Sequence, residues 1–245
     1  MVRRTKADAE ATRTALLDAA EQLFQANGVS RTSLQDIASA AGTTRGAIYW
    51  HFEDKADLFN AMMERATLPM ERGFPDPDQP VADLPDPLQA LRDGLHHVLQ
   101  LIATDERLRR VFEVMSLQVE YHAEMAAVRE RHLRVREHYL GLTQQMMKVA
   151  AQRADLTLPV PLKSAALGLH VLMDGLKRNW MLDPGAFDLV KVGQHTLDTY
   201  LKGLGFDLLA TSVPAPAPRV PVRAKATAGA TLPAPAGLPT PARSR

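Results

Sequence analysis

The sequence predicts an all-α protein in which a three-helix helix-turn-helix domain at the N-terminus precedes a larger helical domain. Apolar residues recur at helical spacing along most of the chain, whereas strand-like alternation and clusters of β-branched residues are scarce. Glycine, proline and capping residues divide this pattern into helices of ordinary length. A change of composition after residue 210 marks the end of the part that can fold around a core.

The first three helices are delimited by caps and glycines. Apolar side chains between Ala15 and Phe24 share one face of a helix over about 7–27, which Gly28 ends. Gly42 ends a short second helix, and a third short helix is expected to end near His51. The candidate N-caps are Thr32 or Ser33 for the second helix and Thr43 or Thr44 for the third.

The following 150 residues read as longer helices. Asp54 is expected to cap a helix that runs to about Arg72, and a proline-rich loop then leads to a helix start at Asp86-Pro87. The expected helices after this loop are about 87–103, 105–118, 122–154, 162–182 and a last one from about 186 to Gly203 or Gly205.

The C-terminal segment has a different composition. Residues 211–245 hold eight of the 17 prolines, many alanines and five basic residues but no acidic one. Such a segment cannot bury a core, so we expect a disordered, solvated tail; a non-specific tether to DNA is the alternative. The expected domains are therefore 1–55 and 56–210, followed by the tail at 211–245.

Composition excludes several classes of protein. The absence of cysteine removes disulfides, thiolate nucleophiles and cysteine-ligated zinc. The N-terminus has no signal-peptide pattern, and no run approaches the roughly 18 to 20 apolar residues of a membrane span. We expect a cytoplasmic protein without a membrane partner. Because the net charge is only +1, a nucleic acid would have to be bound by a local patch.

The most informative segment runs from Thr32 to Lys55. It contains two short helices separated by the turn Ala41-Gly42-Thr43, and small alanines allow these helices to cross closely. This arrangement is a helix-turn-helix. The second of these helices exposes side chains that can donate hydrogen bonds to a phosphate or a base edge, namely Thr43, Thr44, Arg45, Tyr49 and His51.

The run from Ala19 to Phe59 resembles the TetR family of repressors, and most of all its AcrR-like branch. The resemblance is carried by Gly28-Val29, Thr32, Ile37-Ala38, Ala41-Gly42, the string from Gly46 to Phe52, and Lys55. A weaker likeness covers residues 173–180. The family's ligand-binding region between residues 73 and 160 shows little residue-by-residue agreement.

The resemblance implies a role for each candidate DNA contact. Arg45 corresponds to a base-reading position with Thr44 beside it, whereas Tyr49, His51 and Lys55 correspond to phosphate anchors. Thr32 would meet a phosphate at the start of the first motif helix. Arg3, Arg4 and Lys6 would extend the contact into an adjacent groove. Tyr49 and Trp50 could instead be aromatic residues that pack in the core; we expect core packing for Trp50 and DNA contact for Tyr49.

The second domain is interpreted as a sensor. It carries no nucleophile elbow, phosphate-binding loop or metal-ligand spacing, so neither catalysis nor a cofactor is expected. Its methionines belong either to the core or to the wall of an adaptable pocket. Asp174 either holds a cationic ligand group or pairs with Arg178. The expected ligand-binding residues are Leu95, Leu99, Phe112, Met115, Val171, Met173, Asp174 and Arg178.

Together these observations predict a ligand-responsive repressor that binds a palindromic operator as a homodimer. Wide apolar faces on the last two helices suggest the dimer contact. The AcrR-like resemblance implies control of a multidrug efflux operon and release from DNA by a bulky apolar or cationic small molecule. The alternatives are a DNA-binding regulator without a small-molecule effector, a regulator of a metabolic operon, and an enzyme built on a helical bundle.

Overall fold

The computed structural model describes residues 6–121 and 123–208, and its regular elements in these ranges are all helical, which confirms the all-α prediction. The helices are α1 Lys6–Asn27, α2 Leu34–Ala40, α3 Arg45–Ile48, α4 Lys55–Glu71, α5 Pro87–Thr104, α6 Glu106–Glu113, α7 Ala126–Arg153, α8 Leu162–Leu182 and α9 Leu189–Gly203. A π-helical turn at Val114–Gln118, called the π turn below, follows α6 directly. Arg3, Arg4 and the tail at 211–245 lie outside the described residues.

Local hydrogen bonds account for the ends of the short helices. Ser33 caps α2 in a capping box: its hydroxyl accepts from the amide of Asp36, whose carboxylate accepts from the amide of Ser33. Gly42 follows α2 with φ +67°, and the Thr43 amide bonds back to the carbonyl of Ala38. This Schellman arrangement needs the left-handed backbone that glycine adopts most easily.

One continuous core joins the helix-turn-helix to the later helices. The rings of Phe24 in α1 and Phe59 in α4 lie 5.9 Å apart and are fully buried, together with Ile37 and Ile48 of the two motif helices. Helix α4 then packs against α5, α6 and α7, while α5, α7, α8 and α9 pack on one another. Because α4 belongs to both groups, the two parts share a core.

A buried carboxylate ties the N-terminal helix to the rest of the fold. Glu21 of α1 is only 2% exposed and accepts hydrogen bonds from Arg65 of α4 and from Arg107 of α6, the latter at 3.1 and 3.2 Å. Burial raises the pKa of Glu21, and Arg107 opposes that rise. Nearby, Gln25 of α1 donates to Glu113 at the end of α6. Any movement of α6 therefore acts directly on α1.

Candidate functional site

The first polar surface is formed by the turn between α2 and α3 and by α3 itself. Thr44 caps α3, and its hydroxyl accepts from the amide of Ala47 at 3.2 Å. This cap makes Arg45 the first residue of α3, where its side chain is exposed. Thr43 is half-buried beside it. An arginine and two threonines at the start of the second motif helix form the arrangement with which such helices contact DNA.

The end of α3 adds aromatic and imidazole groups to this surface. Tyr49 is 49% exposed, and His51 is half-buried beside the ring of Phe52. The expectation that Trp50 lies in the core is wrong, because its side chain is 88% exposed. Ala47 and Ile48 occupy the buried side, and Trp50 follows Ile48 by two residues, roughly 200° around a helix. Trp50 therefore joins the exposed surface.

Two of the predicted DNA contacts are turned inward instead. Thr32 is buried, and its hydroxyl donates to the carbonyl of Gly28 at 2.9 Å. Lys55 is also buried; its ammonium donates to the carbonyls of Val29 and Thr32, both at 3.3 Å, and pairs with Glu124 at 3.4 Å. These side chains hold the loop between α1 and α2, which explains their inward position without a phosphate.

Two further arginines lie near the motif. Arg31 is exposed in the loop before α2, and the guanidinium of Arg13 lies 5.2 Å from the centre of the Phe52 ring. Asp36 is the acidic group closest in sequence to the turn, but it is occupied by the capping box. The hydrogen bonds from Ser33 lower the pKa of Asp36. The sequence argument did not single out Arg31 or Arg13, because an isolated surface arginine has no local signature.

The second candidate site is a cavity of about 200 Å³ enclosed by α4, α5, α6, the π turn, α7 and α8. Its wall is mostly apolar and contains several thioethers and aromatic rings. Of the methionines left open between core and pocket, Met62, Met146 and Met147 lie in the core. Met63, Met115 and Met173 line the cavity, and Met70, which the sequence argument did not consider, lines it with them.

Five of the eight predicted ligand-binding residues line this cavity, and three do not. Leu99 packs against Gly193 of α9, outside the cavity. Val171 is 59% exposed, since it lies roughly 200° around α8 from Met173. Arg178 is exposed and donates to the carbonyl of Ser116 in the π turn at 3.1 Å. The five residues that line the cavity are Leu95, Phe112, Met115, Met173 and Asp174.

Helices α4 and α7 contribute much of the wall, and the sequence argument did not assign them to the ligand. The residues it missed include Phe59, Asn60 and Met63 of α4 and Arg131, Arg136 and Tyr139 of α7. Helix α7 carries so many charged side chains that it reads as a solvated surface helix. The pair Met62-Met63 is the signal in the sequence that could have assigned α4 to the cavity, but as methionines these residues indicated only a core or a pocket wall.

The polar groups of the wall are concentrated on α7 and α8. Asp174 forms ion pairs with Lys177 at 3.5 Å and with Arg178 at 3.9 Å, which confirms the salt-bridge alternative and adds a second cation to it. Burial lowers the pKa of Lys177, and Asp174 opposes that change. Desolvation also lowers the pKa values of His132 and His170, which favours the neutral form of both imidazoles.

Two buried polar atoms of wall residues have no hydrogen-bond partner among the described residues. They are the Oδ1 atom of Asn60 on α4 and the Nε atom of Arg136 on α7. A buried polar atom without a partner is unfavourable by about 1–3 kcal/mol. A bound molecule with matching groups would remove that penalty.

No helix in 6–121 or 123–208 is long and apolar enough to cross a membrane. The same part of the chain contains no group of three or more histidine or acidic side chains that could hold a metal ion. Within these ranges, the polar surface around α3 and the cavity are the two candidate sites.

Comparison with known proteins gives the family of this chain. The family model of the bacterial regulatory proteins, tetR family, matches residues 16–62, and that of the C-terminal region of MAATS-type transcriptional repressors matches 86–206. The HTH-type transcriptional repressor BepR of Brucella suis is 39% identical over 203 residues, which are 83% of this chain and 96% of BepR. The regulator AcrR of Shigella flexneri is 37% identical over 198 residues, 78% of this chain and 88% of AcrR.

Solved structures give the same picture. NalD, the secondary repressor of the MexAB-OprM multidrug efflux pump in Pseudomonas aeruginosa, matches with a TM-score of 0.72 and 37% identity over 81% of this chain and 98% of its own. A complex of SmeT with triclosan matches with a TM-score of 0.68 and 30% identity over 86% and 98%. SmeT is the repressor of the Stenotrophomonas maltophilia multidrug efflux pump SmeDEF.

Proposed function

Because this chain belongs to the TetR family of bacterial regulatory proteins, we propose that it represses a multidrug efflux operon and leaves its operator when a small molecule binds. The observation that carries this proposal is the shared helix α4: Lys55 at its start holds the motif, and Phe59 lines the cavity. The family consists of regulators, so the enzyme alternative is set aside. NalD and SmeT are repressors of multidrug efflux pumps, which supports an efflux pump as the regulated target of this chain.

The DNA contacts are assigned by exposure. We assign base reading to Arg45, with Thr43 and Thr44 beside it, and phosphate contacts to Tyr49 and His51. Thr32 and Lys55 act behind this surface, where they hold the loop between α1 and α2 in place. Their contribution to DNA binding is therefore positional.

A homodimer would present two such surfaces to a palindromic operator. The side chains of Leu167, Val171 and Leu172 on α8 are 40–59% exposed, and Leu172 borders a shallow groove with Val192 and Tyr200 of α9. Apolar side chains repeated along two adjacent helices favour pairing with a second copy in a four-helix contact. The rest of the apolar faces predicted for α8 and α9 already pack within the chain, including Ala165, Leu169, Leu197 and Leu201.

Release from DNA follows from contacts between the cavity and α1. Phe112 of α6 and Met115 of the π turn line the cavity, while Arg107 of the same helix binds Glu21 of α1. The π turn also contacts α1. A ligand that moves α6 and the π turn therefore displaces α1 and the motif packed on it. Ligand and operator then weaken each other's binding by the same factor.

Tryptophan fluorescence tests this proposal. Trp50 is exposed next to the assigned contacts, whereas Trp180 is buried. We expect a DNA fragment from the control region of this gene to change the emission of Trp50, and triclosan, the compound bound by SmeT, to reverse the change. A Trp50→Phe variant should lose the signal but keep a footprint over a pseudo-palindrome.

Two results would contradict the proposal. A monomer in light scattering, both free and with operator, would contradict the homodimer. Operator binding that neither triclosan nor any other cavity-filling compound weakens would favour a regulator without a small-molecule effector.

A further inference from the structure

The ligand cavity carries an excess of positive charge. Its wall contains three cationic side chains, Arg131, Arg136 and Lys177, but a single carboxylate, that of Asp174. The Asp174 carboxylate is already paired with Lys177 and with Arg178. A cationic ligand would therefore compete with two existing partners for one acid, and it would also meet the two arginines of α7, whose charge is only partly offset by acidic side chains outside the wall.

Arg136 has a buried donor that no acceptor in the described part of the chain satisfies. One of its terminal nitrogens donates to Glu137 at 2.8 Å, on the exposed side of α7. Its Nε atom is buried and finds no acceptor among the described residues. Because arginine cannot lose its proton near neutral pH, that N–H remains a donor and an oxygen acceptor would satisfy it.

Lys177 borders the same space from α8. Its side chain is largely buried, and its ammonium lies 3.5 Å from Asp174 and 5.8 Å from the centre of the Phe112 ring, which also lines the cavity. The Asp174 carboxylate pairs with two cations, so it neutralises the positive charge of the buried Lys177 ammonium only in part. An anion in the cavity would restore the balance.

We propose that the effector is a bulky apolar acid, whose single negative charge is held by Arg136 and Lys177 while its apolar body contacts the aromatic and methionine wall. This inference rests on the proposed function and narrows its ligand class. It replaces the expectation that Asp174 selects cationic ligands. Asp174 instead holds the two cations of α8 in the absence of ligand and competes with the incoming acid for Lys177.

Three probes with one apolar body test the charge of the ligand: biphenyl-4-acetic acid, biphenyl-4-acetamide and 2-(biphenyl-4-yl)ethylamine. Isothermal titration of the full chain without DNA measures each affinity at pH 7. We expect the acid to bind at least about tenfold more tightly than the amide, since hydrogen bonds to charged groups are the stronger ones. The amine should bind more weakly than the amide.

Substitutions of Arg136 and Lys177 test whether these two side chains bind the carboxylate of the ligand. Arg136→Gln and Lys177→Met should each lower the affinity for the acid about tenfold or more and leave the affinity for the amide nearly unchanged. Arg129→Gln and Lys148→Met, at exposed positions of α7, are the matched controls and should change neither. Asp174→Asn should strengthen acid binding, because it removes the competing carboxylate.

Each outcome bears on one proposal. Tighter binding of the amine, equal losses of acid and amide in the variants, or weaker acid binding in Asp174→Asn would overturn the acidic ligand. Failure of all three probes to bind a protein that still binds operator would also overturn it and leave the DNA-binding function intact. Tight binding of the acid without any release of operator would instead contradict the effector step of the proposed function.

Discussion

The recognition segment, residues 43–51, comprises the turn before α3, α3 itself and the turn after it, and its polar side chains are exposed or half-buried. In the cavity, the polar side chains of α4, α7 and α8 line an enclosed space. The recognition segment is built from neighbours: the cap at Thr44 and the left-handed Gly42 are within a few residues of the groups they position. The cavity joins Asn60 to Lys177, which are more than a hundred residues apart in sequence.

This difference predicts how each site responds to change. A locally built surface depends on caps and turns, so a substitution there alters binding with little effect elsewhere. A cavity enclosed by five helices depends on the packing of all of them. The two sites are nevertheless coupled, because α4 belongs to both and Glu21 ties α1 to α6.

The largest expected effect comes from the ring that the two regions share. Phe59 is fully buried, packs on Phe24 and lines the cavity. Phe59→Ala should lower the free energy of unfolding by about 3–5 kcal/mol, with a single urea transition for both regions. Tyr49→Ala, at an exposed position, should change stability by less than about 0.5 kcal/mol. Two separate transitions would show that the regions fold independently.

Substitutions of Arg45 and Lys55 distinguish a residue that contacts DNA from one that stabilises the motif. Arg45→Ala should weaken operator binding by about 1–3 kcal/mol, relax specificity and leave the melting temperature unchanged. Lys55→Met removes the donor to Val29 and Thr32 and should lower the free energy of unfolding by about 1–3 kcal/mol. Gel shifts over a salt series and thermal melts measure the two effects. A Lys55→Met protein of normal stability with a smaller salt slope would instead make Lys55 a phosphate contact.

Two glycine substitutions compare a turn with a helix. Gly42 has φ +67° and open space where a Cβ would lie, so Gly42→Ala should cost about 1–2 kcal/mol through the backbone alone. Gly141 in α7 also has open space there, but it needs no unusual backbone, so Gly141→Ala should stabilise by up to about 1 kcal/mol. Urea denaturation should show opposite signs. Equal destabilisation by both would contradict the local origin of the turn.

The smallest expected effect is the pH dependence that the cavity imidazoles add to stability. The folded-state pKa values of His132 and His170 lie below the ordinary value, so the unfolded chain takes up protons first as pH falls. Their contribution to stability is therefore present above about pH 6.5 and decreases below it. Melts from pH 7.5 to 5.5 should show a shallower loss in a His132→Gln, His170→Gln double variant. An unchanged slope would mean that neither imidazole is desolvated.

The sequence by itself determined the helical class, the motif and its caps. These features depend on contacts within a few residues, and Ser33, Gly42 and Thr44 carry their local chemistry wherever the rest of the chain lies. Helical periodicity likewise predicted that Leu95, Phe112 and Met173 face inward, and the structure places all three in the cavity wall.

Only the tertiary structure decided which side chains those local elements present. Lys55 is buried because of how α4 lies against the loop after α1, which the spacing of residues does not specify. The same holds for Arg136 and Asn60: their residue types predict solvent contact, and packing of α7 and α4 around the cavity buries one polar atom of each without a partner. Burial is a property of the assembled helices, so the charge of the cavity could be read only after they were placed.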